Sequence, residues 1–251
     1  MISREDPRPA YRQVADAIRV DIESGRLVPG EAIPSIAELG REHGISSVTV
    51  QRAVTHLKSL GLVETRHGSG TFVRRQRPWT AISSEWWRVP GDGESDHWTT
   101  ATREHGFVGN QELLRVETAE MPEHIRDAME AEEATAVVRE RLLRLDGEPM
   151  QICGSWFPHD VADGTRLAEP RKIKGGTPKI LGDLDDPPTE ILKETVARMP
   201  TQTERELLDL PPGVPVLDVL MVAVTAAGRP VEVGTLVARG DRHRMRDRHP
   251  A

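Results

Sequence analysis

The sequence predicts an α+β fold in two parts: a small N-terminal unit of three helices and a hairpin, then a larger unit on an antiparallel sheet. Three observations predict it. In the early chain, apolar residues recur at helical spacing between capping residues. In the remainder, two hairpin signals, Gly147-Glu148-Pro149 and Gly228-Arg229-Pro230, stand 81 residues apart. Charge divides the chain as well: residues 1–77 hold 12 Lys+Arg against 9 Asp+Glu, and the rest hold 21 against 31. The boundaries that follow are a unit over 1–75, a linker over 76–97, a second unit over 98–245 and a tail over 246–251.

In the first helix Tyr11, Val14, Ala15, Ile18 and Ile22 make one apolar stripe, which Gly25 ends. Pro29-Gly30 marks a turn. Ser35 and Glu38, three apart, form a capping box that opens a short second helix, and Gly44 stops it. Ser46 caps the third. There Val50, Ala53, Val54 and Leu57 face inward, while Ser47, Thr49, Gln51, Arg52 and Thr55 face outward; Gly61 ends it. Residues 62–66 and 71–73 read as strands around the turn His67-Gly68-Ser69-Gly70.

Two helices about a tight glycine turn, followed by a hairpin, is the pattern of a winged helix-turn-helix, whose second helix enters the major groove N-terminal end first. The third helix suits that role. Its first turn is small and polar, Arg52 can meet a phosphate or a guanine, and Gln51 can read adenine. Arg66 and His67 flank the wing turn. The formal net charge of −7 opposes contact with a polyanion, but only the acidic remainder carries it.

The stretch from Tyr11 to Val73 resembles the winged-helix domain of the GntR family. The carrying residues include Ser24-Gly25, Pro29-Gly30, Ile33-Pro34-Ser35, Gly44-Ile45-Ser46, Thr49-Val50, Arg52-Ala53, Gly61-Leu62-Val63 and Gly68-Ser69-Gly70-Thr71-Phe72-Val73. The resemblance implies a homodimer on an inverted-repeat operator in double-stranded DNA. It places DNA contacts on Ser46, Thr49, Arg52, His67, Gly68 and Gly70; Ser35, Ser47, Gln51 and Arg66 complete the expected surface. Relatives usually carry arginine where this chain has Ala37, Ser47 and Gln51, so its operator is expected to differ from the common half-site.

After the wing comes a basic run, Arg74-Arg75-Gln76-Arg77-Pro78, readable as a phosphate contact or as a solvated linker. Trp79, Trp86, Trp87 and Trp98 follow; some are expected to pack on the second unit or at a dimer interface, with a base-stacking platform as the alternative.

The second unit reads as two repeats of helix plus hairpin. Ile125, Ala128 and Met129 lie on a helix face, followed by strands over 136–145 and 149–156 about Asp146-Gly147. Thr201 and Glu204 form another capping box, followed by strands over 216–224 and 230–238. Joined, the hairpins give one antiparallel sheet covered by helices. This order is similar to the UTRA effector-binding domain of the HutC-like branch of GntR regulators. It is carried by Arg139-Glu140-Arg141-Leu142, Asp146-Gly147-Glu148-Pro149-Met150, Ala197-Arg198-Met199-Pro200-Thr201 and Gly228-Arg229-Pro230-Val231-Glu232. The resemblance implies a chorismate lyase-like fold.

Arg139 and Arg141, two apart on a strand, share a sheet face and can hold a carboxylate or phosphate between two guanidinium forks. The resemblance implies an anionic small-molecule effector there, with Ser155 and Glu232 lining the pocket. Cys153, Trp156 and His243 stand where relatives have a glutamate, a tyrosine and an aromatic, which points to a different, less polar ligand or to a pocket that has lost ligand control. Cys153, the only cysteine, reads as core packing, with a redox sensor as the alternative. The terminal run 242–249 reads as a solvated tail.

The expected function is a repressor that an effector releases from its operator. The alternatives are a ligand-independent repressor whose second unit only dimerises and, remotely, a lyase-like enzyme. The nine histidines show no metal spacing, and there is no phosphate-binding loop and no nucleophile–base pair, so neither catalysis nor a cofactor is expected. With no long apolar run and no export signal, a cytoplasmic protein without membrane contact is the expectation.

Overall fold

A computed structural model describes residues 6–66, 68–74, 79–82 and 96–246. It divides into two units, residues 1–78 with 210–214, and 79–209 with 215–251.

In the first unit the helices are α1 (Ala10–Glu23), α2 (Ile36–His43) and α3 (Ser47–Ser59). The Ser35–Glu38 capping box is formed at the start of α2. Gly44 ends that helix at φ +66°, a left-handed conformation that glycine adopts without a Cβ penalty. Ser46 caps α3 by accepting from the Thr49 backbone NH. Strand β1 (Val63–Arg66) pairs antiparallel with β2 (Gly70–Val73), Arg66 opposite Gly70. The apolar stripes converge: Val14, Ile18, Leu39, Val50, Ala53, Leu57, Val63 and Val73 form one core, each less than a tenth exposed.

The second unit holds a six-stranded antiparallel sheet, in the order 109–120, 135–145, 148–157, 230–239, 216–225 and 188–198. Its central hairpins are β5 (Thr135–Leu145) with β6 (Glu148–Phe157), and β8 (Val216–Thr225) with β9 (Pro230–Arg239). They join through β6 and β9, Ser155 opposite Gly234. The Asp146-Gly147 turn takes φ +51° and +84°, the pair of positive angles a tight hairpin demands. The sequence signals named these four strands but not the outer two, β4 (Gly109–Glu120) and β7 (Pro188–Arg198). Both are flanking strands with largely exposed charged residues, so the alternation that marks a half-buried strand is weak in them.

Helix α5 (Glu123–Ala128) covers one sheet face, with Met121, Ile125 and Met129 packed on Val138, Trp156 and Val233. The other face carries α6 (His159–Ala162) and α7 (Thr177–Gly182), with Val161, Leu167 and Leu181 on Val137, Phe157 and Ala223. Helix α8 (Gln202–Leu207) opens with the expected Thr201–Glu204 capping box.

Two segments depart from expectation. Within the span read as linker, Trp79–Ile82 forms β3, which pairs in parallel with β10 (His243–Arg246). The pairing draws Arg242 and His243, read from sequence as solvated tail, into the unit at 6% and 8% exposure, and Arg242 ion-pairs with Glu148. Trp79 packs edge-on against Trp98 of α4 (His97–Glu104), ring centroids 5.2 Å apart, and both are buried. Burying two large rings is what makes a parallel two-stranded pair worth forming here. Trp86 and Trp87 lie outside the described residues. No helix of the described residues is long and apolar enough to cross a membrane.

Candidate nucleic-acid interface and ligand cavity

On α3 the outward residues are solvent-facing as the stripe requires: Ser46, Ser47, Gln51 and Arg52 are exposed and Thr49 is half-buried. Ser46 Oγ stands 2.9 Å from Thr49 Oγ1, so the two hydroxyls order each other at the helix start. Ser35, also exposed, accepts from the Glu38 NH and keeps its hydroxyl proton for an outside acceptor. The Arg52 guanidinium sits 5.1 Å from the Tyr11 ring centroid, and the same ring meets His56 edge-on. That stacking holds an exposed cation near one position without consuming its donors.

On the hairpin, Arg66 lies over Phe72 at 4.5 Å and pairs with Glu64 at 2.9 Å. Gly68 and Gly70 form the turn at φ +73° and +114°. His67 lies outside the described residues, as do residues 75–78 of the basic run. Sequence reasoning passed over Val48, an apolar side chain 69% exposed in the first turn of α3. The signal was a valine between Ser47 and Thr49, off the buried stripe.

In the second unit, β5, β6 and β9 floor a cavity of about 140 Å³. Helix α4 and the Gly175-Gly176-Thr177 segment complete its wall. Arg141, Cys153, Ser155 and Glu232 all line it. Register explains the grouping, because Arg141 pairs with Cys153, and Ser155 with Gly234, on one side of the pleat. Arg141 Nη2 donates to Ser155 Oγ at 2.7 Å, while its Nε has no hydrogen-bond partner among the described residues. Glu232, 3% exposed, likewise leaves Oε2 without a partner. Burial lifts its carboxyl to about 7, against the opposing pull of the Ser155 hydrogen bond and the Arg141 charge.

Arg139 is not among the residues lining this cavity. Its guanidinium, 2% exposed, donates to the carbonyls of Leu167, Glu169 and Arg171 at 2.7 Å each. Burial, with the like charge of Arg141 second, pushes its pKa down to about 10. Trp156 is on the opposite sheet face, in the core under α5, since it neighbours Ser155 and strand side chains alternate. His243 is buried beside β3 and is not in the cavity wall; burial pushes its imidazole down to about 4. The same parity that excludes Trp156 would have found Gln151, two residues before Cys153, whose 5% exposed amide does line the cavity. Asp96 joins it as the N-cap of α4. Against the upward push of burial, the Thr99 NH and the Lys172 charge hold its carboxyl below the usual range.

Cys153 faces this cavity in an apolar setting. Burial pushes its thiol up, with Arg141 and Gln151 pulling the other way. The thiolate is the reactive form. Cys153 is therefore expected to react with iodoacetamide at neutral pH more slowly than free cysteine does. Alkylation at the rate of the free amino acid would refute this reading of its environment.

The UTRA domain model matches residues 104–244, and that of bacterial regulatory proteins of the gntR family matches residues 10–73. An uncharacterized HTH-type transcriptional regulator of Streptomyces coelicolor is 28% identical over 243 residues, 93% of this chain and 90% of that protein. The HTH-type transcriptional repressor NagR of Bacillus subtilis is 24% identical over 243 residues, 96% of this chain and 95% of that one. A solved structure described as a GntR-family transcriptional regulator superposes with a TM-score of 0.64 at 27% identity, covering 97% of this chain and 98% of that one.

Proposed function

Because the chain belongs to the HutC-like branch of the GntR family of bacterial transcriptional regulators, with a UTRA domain as its second part, we propose that it is a dimeric, cytoplasmic repressor released from DNA by a small molecule. The observation that carries the DNA half is the polarity of α3. One face is locked into the core through Val50, Ala53 and Leu57, and the other presents Ser46, Ser47, Gln51 and Arg52 to solvent.

In this reading a homodimer sets two copies of α3 in successive major grooves of an inverted repeat. Arg52 takes a guanine or a phosphate, Gln51 an adenine edge, and Val48 a thymine methyl. Ser35, Ser46 and Thr49 hold the backbone, and the wing, with Arg66, His67, Gly68 and Gly70, lies along the adjacent phosphates. The Arg66–Glu64 pair is exposed, and such pairs contribute little, so Arg66 can exchange it for a phosphate at small cost.

The effector half rests on the cavity, where buried polar atoms with no partner among the described residues converge from three strands. Arg141, Ser155 and Glu232 are its contacts, with Cys153 in the wall. Arg139 holds the 166–171 loop behind it. Occupancy favours a dimer geometry whose helix spacing no longer fits the operator.

The test is selection of full-length protein on random duplex DNA, followed by anisotropy titration of the enriched sequence. An inverted repeat with half-sites about one helical turn apart is expected. Binding no tighter to the enriched duplex than to scrambled duplex would refute the proposal.

A further inference from the structure

We propose that the cavity takes a small zwitterion: a carboxylate and an amine on neighbouring carbons, with a compact apolar body. This rests on the effector reading above and narrows it to one ligand chemistry.

Arg139 donates to three loop carbonyls and reaches only a smaller adjoining pocket of about 40 Å³, which it lines with Arg141 and Lys172. Lys172 is likewise engaged, with Asp96 at 3.2 Å. In the larger cavity the Arg141 Nε is buried and has no hydrogen-bond partner among the described residues, which makes it a donor for an anion. One carboxylate matches that guanidinium.

Among the described residues Glu232 Oε2 and Gln151 Oε1 both lack partners, and both residues are more than nine-tenths buried. Buried acceptors of this kind need donors. A ligand that was only an anion would supply no donor to either oxygen. An ammonium supplies three donors, and its charge favours the ionised form of Glu232.

Ser155, whose hydroxyl accepts from Arg141, stands opposite Gly234, and Glu232 lies two residues from Gly234 on the same face of its strand. The guanidinium and the carboxyl group therefore meet at one patch of the sheet, where a carboxylate and an amine on neighbouring carbons can reach both. The rest of the wall, with Trp79, Trp98, Leu143 and Met221, is apolar. The volume of about 140 Å³ suits a body no larger than a single ring.

Thermal shift and calorimetry on the full chain would use the standard L-amino acids as probes, each beside its deaminated acid and its decarboxylated amine, with glucose 6-phosphate as the anionic control. At least one amino acid is expected to stabilise the protein. Loss of either the amine or the carboxylate should weaken it about 10- to 100-fold, as loss of a charged hydrogen bond does. Glu232→Gln should cost the amino acid about as much as removing its amine, while Glu232→Asp retains part of the affinity. Equal binding of the deaminated acid, binding of glucose 6-phosphate alone, or no shift by any amino acid at millimolar concentration would overturn the proposal. Operator affinity measured alongside separates the two readings: an amino acid that binds without weakening operator binding supports the zwitterion site and refutes its role as effector.

Discussion

Arg139→Met is expected to destabilise the C-terminal unit by about 2–5 kcal/mol while leaving operator binding in place. The side chain is 2% exposed and makes three 2.7 Å hydrogen bonds to carbonyls of one loop. Methionine keeps most of the volume but offers no donor. Each buried carbonyl left without a partner costs about 1–3 kcal/mol. Removing a buried cation relieves its own desolvation, which is why the net falls short of the sum. Arg139→Lys should lose nearly as much, because one ammonium cannot reproduce a planar fork aimed at three acceptors. The molecule supplies a selective probe: all five tryptophans, at 79, 86, 87, 98 and 156, lie outside residues 1–78. Trp79, Trp98 and Trp156 are buried in the second unit, so tryptophan fluorescence during urea unfolding carries the transition of that unit without treating the whole chain as one transition. Unchanged stability with loss of the ligand response would show instead that Arg139 touches the ligand, as the Arg-x-Arg motif implies.

That contrast shows how far residues alone could be read. Period-2 alternation correctly puts Arg139 and Arg141 on one face, but which of them is open depends on where residues 166–171 lay their carbonyls, and no local pattern encodes that. The same alternation was informative enough to separate Trp156 from Ser155 and to add Gln151; the family correspondence, taken position by position, overrode it. In the first unit little was hidden. Ser35–Glu38, Gly44 and Ser46 are signals that act through the backbone of their own neighbours, so α2 and α3 were legible with their exposed faces. Strands β4 and β7 were not, because a flanking strand carries charged residues such as Glu112, Arg115, Glu190 and Lys193 and needs fewer apolar ones. Strand β3 was hidden for another reason: its partner, His243–Arg246, lies at the far end of the chain and reads as a basic tail until Trp79 pairs with it.

Arg52→Ala is expected to weaken operator binding by about 10- to 100-fold per half-site, and by more for a dimer altered in both halves, since a good bidentate contact to a base is worth about 1–3 kcal/mol. The residue is exposed, so the change should leave the fold of the first unit intact, which circular dichroism can check. Its stacking over Tyr11 matters to the size of the effect. An arginine already held near its bound position loses less conformational freedom on reaching the groove. Removing the ring by Tyr11→Leu should therefore weaken binding too, by a smaller factor. The partner of Arg52 can be read from two further measurements. If it is a phosphate, Arg52→Ala lowers the slope of log affinity against log salt by about 1 for each phosphate no longer neutralised, and weakens all duplexes alike. If it is a guanine, the salt slope changes less, and the loss concentrates on operators that carry the base, with Arg52→Lys failing to restore discrimination. An Arg52→Ala protein that bound its selected operator within twofold of the parent, at any salt concentration, would remove α3 from the groove and with it the proposed mode of recognition.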